Sequence, residues 1–439
     1  ERMTVAPLSA AAQTRQAFLA HLLAVGQRSP LTVEWLSQWR DRATVRVKEQ
    51  TIPSSRDEEW RFTDLSALLA MDVVEAAPVS VSAADIAEFI LPEAAHSRLV
   101  WVDGRYAAEL SDVTAVPDGV AIGNLASLSA EQQSIVQRYL ATQPGAEEVF
   151  TALNTASLAD VAVVIVPKSV AIAPPIHLLQ LSTGTATSLQ QPRTVVIAEV
   201  NSALTLVEDY VGLGETGSFT NTVTEIWVGE NAQVHHTRVQ RAAQAAVHIG
   251  KTAVSQARDS RYAINAIELG AALSRHHLEV YQTGEQTETI LNGLTLISGD
   301  QVSDTHSAIA LSKPYGRTNQ LHKCIIDDRG HAIFNGKVSV PRAAQQTDAA
   351  QLNRNLLLSP KARVDTKPQL EIVADNVKCS HGAAVGQLEA DEMFYLQSRG
   401  IDAASARQLL IYAFAYEILA QIPVPSLQQA LTQAVAAKT

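Results

Sequence analysis

Cysteine is scarce in this chain: among 439 residues only Cys324 and Cys379 carry a thiol. Two cysteines are too few for a disulfide framework and fit a reducing compartment, so we expect a cytoplasmic protein. A structural zinc site or an iron–sulfur cluster usually takes four ligands. Any metal or cluster held by these cysteines must therefore be completed by another molecule or by distant histidines and carboxylates.

Runs of basic or apolar residues are missing as well. The 45 acidic residues outnumber the 34 basic ones, for a net charge of −11. Nucleic acid is therefore not an expected partner, because phosphates are neutralised by clustered lysine and arginine. The longest wholly apolar run, at 409–416, is far shorter than the roughly 20 residues of a membrane-spanning helix. The N-terminal residues contain no long apolar segment after a basic start, so we expect neither a membrane anchor nor a secretory signal.

Recognisable catalytic motifs are also lacking. The sequence contains no GxSxG, GxxxxGKS/T, HExxH or CxxC pattern. Without a glycine-rich phosphate loop no ATP site is predicted, and no pair of residues is indicated as nucleophile and general base. We therefore expect a protein that is not itself an enzyme.

What is present divides into three regions. The spacing of apolar residues over 1–150 predicts a helical region, in which Ser9 is an N-cap. The same region contains one predicted hairpin of two short strands around Asp103 and Gly104. Residues 151–398 predict a mainly β core of short alternating strands. Residues 399–439 predict a C-terminal helical domain, in which Asp402 caps a helix that is apolar around nearly its whole circumference. Such a helix is buried on several sides, by its own domain or by a partner.

The β core shows a loose internal repeat. A strand, a turn and an alanine recur with a period near 30 or its double, the alanines being Ala203, Ala232, Ala271, Ala332 and Ala362. Alternation is clearest over 362–372, where Val364, Leu370 and Ile372 share one face and are expected to point inward. Short strands without crossover helices indicate either a β-sandwich or a β-solenoid, and helical segments at both ends would cap a solenoid.

The stretch NVKCSHGAAVG, 376–386, places Cys379 and His381 two positions apart. In a strand, residues i and i+2 point to the same side, so both can face one ligand or partner. From spacing alone the ordinary interpretation, a small buried residue and a surface histidine, stays open. Cys324 is interpreted as a core cysteine. The adjacent histidines at 235–236 and 276–277 point to opposite faces of a strand and do not form chelating pairs.

The C-terminal third resembles the SufB/SufD family of the SUF iron–sulfur cluster assembly system, and within it the SufD branch. The resemblance is carried by VDTKPQLEIVADNVKCSHGAAVG, FYLQSRGI and LLIYAFAYEI, and more loosely by RDEEWRFTDL and FTALNTASLADVAVVIVP upstream. It implies a right-handed parallel β-helix core flanked by helical domains. It also implies a complex with a SufB-like scaffold paralogue and a SufC-like ABC ATPase, in a bacterial cytoplasm or, after removal of a transit peptide, a plastid.

The family pattern also implies roles for single residues. His381 matches the histidine at the SufB–SufD interface, where the nascent cluster is thought to form, and Cys379 matches the neighbouring cysteine. The chain alone should bind no cofactor stably, because the iron–sulfur cluster is transient and belongs to the complex. In the family, SufC docks on the C-terminal helical segment. The resemblance therefore implies that the docking residues are Leu410, Tyr412, Phe414 and Tyr416. A homodimer of the isolated chain is a further expectation.

Three alternatives stay open. A SufB-like cluster scaffold has a cysteine where this chain has Ile372, and Glu-His-Glu where it has Ser380, His381 and Gly382, so the pattern favours SufD. An interaction module without a direct cluster role would share the same fold. A carbohydrate-active β-helix enzyme would need a secretion signal and clustered charged residues on its strand faces, neither of which the sequence shows.

Overall fold

The structure is a computed structural model that describes residues 10–438. The predicted N-cap Ser9 lies outside these described residues. The α-helices are α1 (Ala10–Gly26), α2 (Leu36–Lys48), α3 (Ser66–Leu69), α4 (Ala130–Tyr139), α5 (Val149–Ala156), α6 (Ala390–Ser398), α7 (Ala403–Leu419) and α8 (Pro425–Lys438). Short 3-10 helices are Glu58–Trp60, Ala87–Phe89, Pro92–Ala94, Ala108–Leu110 and Leu125–Ser127.

The strands fall into a short N-terminal set and a long regular set. The first set is β1 (Arg98–Val102), β2 (Arg105–Tyr106), β3 (Ala121–Asn124), β4 (Ala162–Val166), β5 (Ile176–Ser182), β6 (Leu189–Gln190) and β7 (Arg193–Ala198). The second set is β8 (Ala203–Gly212), β9 (Phe219–Val228), β10 (Gln233–Arg241), β11 (Val247–Gln256), β12 (Arg261–Glu268), β13 (Leu273–Gln282), β14 (Glu288–Ile297), β15 (Val302–Ala310), β16 (Arg317–Ile326), β17 (His331–Val340), β18 (Asp348–Leu357), β19 (Arg363–Ile372) and β20 (Lys378–Gly386).

These strands wind into a β-solenoid of about eight turns. The first sheet has the order β2-β1-β5-β8-β10-β12-β14-β16-β18-β20, and the second has the order β19-β17-β15-β13-β11-β9-β7-β4-β3. From β7 onward successive strands of the chain alternate between the two sheets, and neighbours within a sheet are parallel from β4 and β5 onward. The predicted β-solenoid is therefore confirmed, and the sandwich is excluded because its sheets are antiparallel.

A left-handed backbone residue marks each of seven successive turns of the solenoid. These residues have φ between 53° and 64°, and they are Ser169, Asn201, Asn231, Asp259, Gln286, Tyr315 and Gln346. Each donates its N–H to a carbonyl of the following turn, as Asn201 does to Glu230 at 2.9 Å. Their spacing confirms the predicted period near 30. Alanine does not mark one position of the repeat, because Ala203 begins β8 whereas Ala332 lies inside β17.

The N-terminal region closes one end of the solenoid. The predicted hairpin is confirmed: β1 and β2 are antiparallel around Asp103 and Gly104, which have φ of 47° and 78°. β1 also pairs with β5, so the first sheet already includes strands from before residue 151. Whether 150 and 398 are domain boundaries stays a prediction. The 58–63 segment is held on the second sheet by the guanidinium of Arg275, which lies 3.9 Å from the Trp60 ring centroid.

Polar side chains occupy part of the space between the two sheets, and most of them are paired. Near the starts of the first-sheet strands the interior is apolar, with Leu206 and Ile264 as examples. Towards their ends it is polar: the buried Glu208 bonds His236 Nε2 at 3.0 Å and Thr224 Oγ1 at 2.7 Å. Buried ionic groups persist only when they are paired in this way.

Three C-terminal helices complete the fold. The inner faces of α7 and α8 pack on the outer surface of the first sheet, where Ile411 and Ile418 meet Val239 and Ile267. Asp402 is the N-cap of α7, as predicted, and accepts a hydrogen bond from the Ser405 N–H at 3.0 Å. Among the described residues, none of the helices combines the length and the apolar character that crossing a membrane requires.

Candidate functional site

The last coil of the solenoid is open. β19 pairs only with β17 and β20 only with β18, so each presents an outer edge that no described residue covers. These edges are ten and nine residues long. Ile372, Val373 and Val385 are exposed there. A long, flat edge with exposed apolar residues is a template on which another chain can add strands.

Cys379 and His381 lie on β20, the exposed strand of this coil. Cys379 is in register with buried Ala349, and His381 is in register with buried Gln351. The Cys379 side chain packs partly on the solenoid core, whereas His381 is exposed. The strand therefore carries an imidazole and a thiol two residues apart at the open end.

Residues of β19 follow the predicted alternation with one difference. Val364 and Leu370 pack against buried core residues, as expected. Ile372 is in register with the fully buried Val340, yet it remains 42% exposed. Ile372 therefore lies on the inward face, as expected, but it is exposed because no described strand pairs with the outer edge of β19.

The two thiols differ in accessibility. Burial raises the pKa of the Cys379 thiol, and the nearby Asp348 carboxylate adds to this, although a backbone hydrogen bond opposes them. Complete burial raises the pKa of Cys324 to about 12, so Cys324 is an unreactive core cysteine, as predicted. Neither thiol is activated within the chain alone.

Polar groups continue inward from His381. The Gln351 amide lies directly beneath it and donates to Gln320 Oε1 at 2.8 Å, and Gln320 donates to Ser307 Oγ at 2.7 Å. Gln351 Oε1 is buried and accepts no hydrogen bond from any described residue. A donor on His381, or on a strand added to the edge, can satisfy this acceptor.

The C-terminal helix α7 has a buried and an exposed face. Ile411, Ala415 and Ile418 are buried, whereas Leu409 and Tyr416 are exposed by 46% and 44%. Tyr412 packs against Tyr416, with ring centroids 5.3 Å apart and ring planes tilted by 33°, and Leu410 is half-buried. The helix is therefore covered on one side by its own chain, and the remaining apolar face is open.

Phe414, which was also nominated for docking, is engaged within the chain. Lys323 Nζ donates to the Phe414 carbonyl at 2.9 Å and lies 4.4 Å from the centroid of its ring. Lys323 is also ion-paired with Glu417, and Arg354 lies 3.7 Å from the same carboxylate. These contacts fix α7 on strands β16 and β18.

Sequence reasoning missed a second polar cluster, beneath α5. Lys251 Nζ bridges Glu148 at 2.6 Å and Glu279 at 2.7 Å, and His277 lies 3.3 Å and 3.2 Å from the same two carboxylates. Glu148, His277 and Glu279 have the donor atoms of a metal site, but the ammonium of Lys251 already bridges the carboxylates. The spacing of His277 and Glu279, two positions apart on one strand, could have indicated this cluster from the sequence. The approach of Glu148 could not, because it depends on how the chain folds.

The fold and the open coil define a class of protein: a parallel β-solenoid with one closed end, and one open end whose last strand carries a thiol and an exposed imidazole. Sequence comparison identifies the family within this class. The chain matches the SufBD core domain of SUF system FeS cluster assembly over residues 180–414, and the SufBD protein N-terminal region over residues 27–178. It belongs to the SufBD family of the SUF iron–sulfur cluster assembly system.

Similar proteins occur in cyanobacteria, plants and other bacteria. An iron–sulfur cluster assembly SufBD family protein of Synechocystis is 49% identical over 88% of both chains. The iron–sulfur cluster assembly protein SufD of Escherichia coli is 33% identical, over 86% of this chain and 87% of its own. A chloroplastic protein of Arabidopsis thaliana, ABCI7, is 36% identical over 90% of this chain and 84% of its own. The predicted family is confirmed, and the cellular compartment stays a prediction.

Proposed function

We propose that this chain is the SufD-type, non-catalytic subunit of a SufB–SufC–SufD complex, and that it contributes part of the site where a nascent iron–sulfur cluster forms. The observation that carries the proposal is the exposure of His381, beside Cys379, on the edge strand β20. Relatives named for iron–sulfur cluster assembly support the same process.

The open edges of β19 and β20 bind the SufB-like paralogue. Strand addition there satisfies the free backbone groups and covers Ile372, Val373 and Val385. A paralogue of the same fold would present an edge of matching length. In the absence of that paralogue, a second copy of this chain can take its place, which accounts for the expected homodimer.

The partner supplies the thiolate that this chain lacks. Iron is bound by neutral imidazole nitrogen and, more often, by thiolate sulfur. Where the SufB pattern has a cysteine, this chain has Ile372, an aliphatic residue on the same open coil. His381 is then the main ligand or proton-carrying group from this side. Cys379 is secondary, because its raised pKa keeps the thiol protonated until a metal displaces the proton.

The outer face of α7 docks the SufC-like ATPase. Leu409, Tyr412 and Tyr416 form an apolar strip on it, and Phe394 and Tyr395 of the preceding helix α6 are also exposed. Aromatic residues of this kind are typical anchors at protein interfaces. Phe414 supports the helix from its inner side, and the half-buried Leu410 is a further docking residue.

The test is the iron and sulfide content of the assembled complex, reconstituted anaerobically with its SufB-like and SufC-like partners. His381→Ala should leave the stability of the isolated chain within about 0.5 kcal/mol. It should lower the iron and sulfide recovered about tenfold, the lower range of effects at metal sites. Cys379→Ala should have a smaller effect.

His235→Ala is the matched control, because His235 is an exposed strand histidine far from the last coil. Gel filtration of each variant complex shows whether all three subunits remain together. A complex of His381→Ala that assembles and carries wild-type iron and sulfide would favour the second candidate function, an interaction module without a direct cluster role.

A further inference from the structure

Gln351 lies inside the solenoid, one strand below His381. The two residues are in register on the neighbouring strands β18 and β20. Ala349 and Cys379, two positions earlier on the same strands, pack on the interior apolar cluster. Alternation therefore puts Gln351 and His381 on the same inward face. Neighbouring strands of a sheet are about 4.8 Å apart, so these two side chains are adjacent.

The amide of Gln351 is held in one orientation by its neighbours. Its Nε2 donates to Gln320 Oε1 at 2.8 Å, and Gln320 Nε2 donates to Ser307 Oγ at 2.7 Å. Gly336 on β17 makes room for this amide, since a Cβ there would lie 2.2 Å from Gln351 Nε2. Gln351 is only 3% exposed, and its Oε1 accepts no hydrogen bond from the described part of the chain. The oxygen is therefore a fixed acceptor without a donor.

The register of β18 and β20 selects His381 as that donor. Two side-chain acceptors of β18 are buried without a partner among residues 10–438, Gln351 Oε1 and Asn355 Oδ1. Asn355 is in register with Val385, whose side chain has no donor, whereas Gln351 is in register with His381. A neutral imidazole carries one N–H and one acceptor nitrogen. Of these two pairs, the Gln351–His381 pair is the one that matches an acceptor with a donor.

Covering the open end of the solenoid favours this hydrogen bond. In the isolated chain the exposed imidazole of His381 can bond to water. When a partner coil covers β20, water is excluded, and a donor or an acceptor that is buried without a partner then costs free energy. A hydrogen bond from the His381 ring to Gln351 Oε1 removes both penalties at once, so docking of the partner drives its formation.

We propose that Gln351 is a positioning residue for His381: when the paralogue docks, Gln351 Oε1 accepts a hydrogen bond from one ring nitrogen and fixes the tautomer and orientation of the imidazole. The other ring nitrogen then keeps its lone pair and is directed away from Gln351, to the interface. Histidines that bind a metal nearly always donate their second N–H to such an acceptor. This inference rests on the proposed function, because it requires His381 to be a ligand.

The test is an anaerobic titration with Co²⁺, followed by its visible absorption, of the complex assembled with the SufB-like and SufC-like partners. Gln351→Met keeps the size of the side chain and removes the acceptor. It should weaken Co²⁺ binding about tenfold, the lower range of effects for such partners of metal ligands. Asn355→Leu is the matched control, because it removes the other unpartnered acceptor of β18, beneath Val385, and should bind Co²⁺ as wild type does.

A double-mutant cycle separates positioning from a structural role. In a His381→Ala background, Gln351→Met should have no further effect on Co²⁺ affinity, because Gln351 acts through His381. An equal loss in both backgrounds would show a structural role and overturn the inference, as would unchanged affinity of the Gln351→Met complex. If His381→Ala binds Co²⁺ as wild type does, the proposed function itself fails, and the inference fails with it.

Gel filtration and thermal unfolding show whether each variant folds and assembles. If Gln351→Met does not, Gln351→Asn decides instead, because the side chain that is shorter by one methylene withdraws the acceptor from His381. It should give the same tenfold loss, and wild-type affinity of its complex would overturn the proposal.

Discussion

The half-buried His277 is held by one partner from a distant part of the chain and by one from its own strand. These two carboxylate partners are Glu148, the N-cap residue of α5, and Glu279 of β13. Burial lowers the pKa of His277, but the hydrogen bonds to Glu148 and Glu279 outweigh burial and raise the pKa above its usual value. The charged imidazole therefore attaches the N-terminal region to the solenoid.

A pH dependence of stability follows from this raised pKa. A group whose pKa is raised on folding stabilises the protein fully below its unfolded pKa, about 6.5, and this contribution is lost as the pH rises through the folded pKa. His277→Gln should therefore be less stable than wild type at pH 6, and the difference should shrink towards pH 9. Each unit of pKa shift corresponds to about 1.4 kcal/mol. Urea unfolding of both proteins at the two pH values measures the effect.

The control for this experiment is His235→Gln, which changes an exposed histidine of β10. Its stability should track that of wild type at both pH values. If the difference in the free energy of unfolding between His277→Gln and wild type stays constant from pH 6 to pH 9, the imidazole is not charged in the folded protein. The N-terminal region is then attached to the solenoid by other contacts.

At the scale of elements, β19 behaves as an edge strand with one inward face. Leu370 is in register with the buried Val338 and packs on the core, whereas Gln369 is in register with Lys337. Leu370→Asp should lower the free energy of unfolding by about 2 kcal/mol, because it places a carboxylate against apolar side chains. Gln369→Asp, on the opposite face, should change it by less than about 0.5 kcal/mol. Equal shifts of the unfolding midpoint in the two variants would contradict this assignment of faces.

Helix α7 is likewise two-sided, and its outer face leads to a binding prediction. Tyr416→Asp should weaken binding of the SufC-like ATPase about tenfold or more, since it places a charge in an apolar contact without disturbing the buried face. Surface plasmon resonance with the immobilised ATPase measures the change.

Gln433→Asp, an exposed substitution on α8, is the matched control for helix charge. Phe414→Asp is a poor probe, because it would break the contacts with Lys323 and Arg354 inside the chain. Unchanged affinity of the Tyr416→Asp protein would place the ATPase elsewhere.

The whole molecule has one closed and one open end. The first sheet ends at β2, only two residues long, and the second ends at the buried strand β3, so neither sheet offers a long free edge there. At the other end β19 and β20 are long, and no described strand pairs with their outer edges. A solenoid with a single open end can add one partner but cannot grow into a filament, because the partner's own closed end stops further addition.

The sequence by itself determined the repeating parts of this protein. Strand alternation, a period near 30 and the Asp402 cap are local patterns, so a β core with flanking helices could be predicted from them, and the family resemblance then favoured the solenoid over the sandwich. The spacing of Cys379 and His381 was also local, and it placed both on one strand. The family resemblance then indicated the expected partner proteins, which the spacing of residues could not indicate.

Only the tertiary structure decided what depends on distant residues or on the end of the coil. Glu148 meets Lys251 although 103 residues separate them. Ile372 occupies the same inward position on β19 as the buried Val340 does on β17. It is exposed because no further described strand of the second sheet pairs with β19. Periodicity records which way a side chain points, but burial and contact depend on what the rest of the chain places against it.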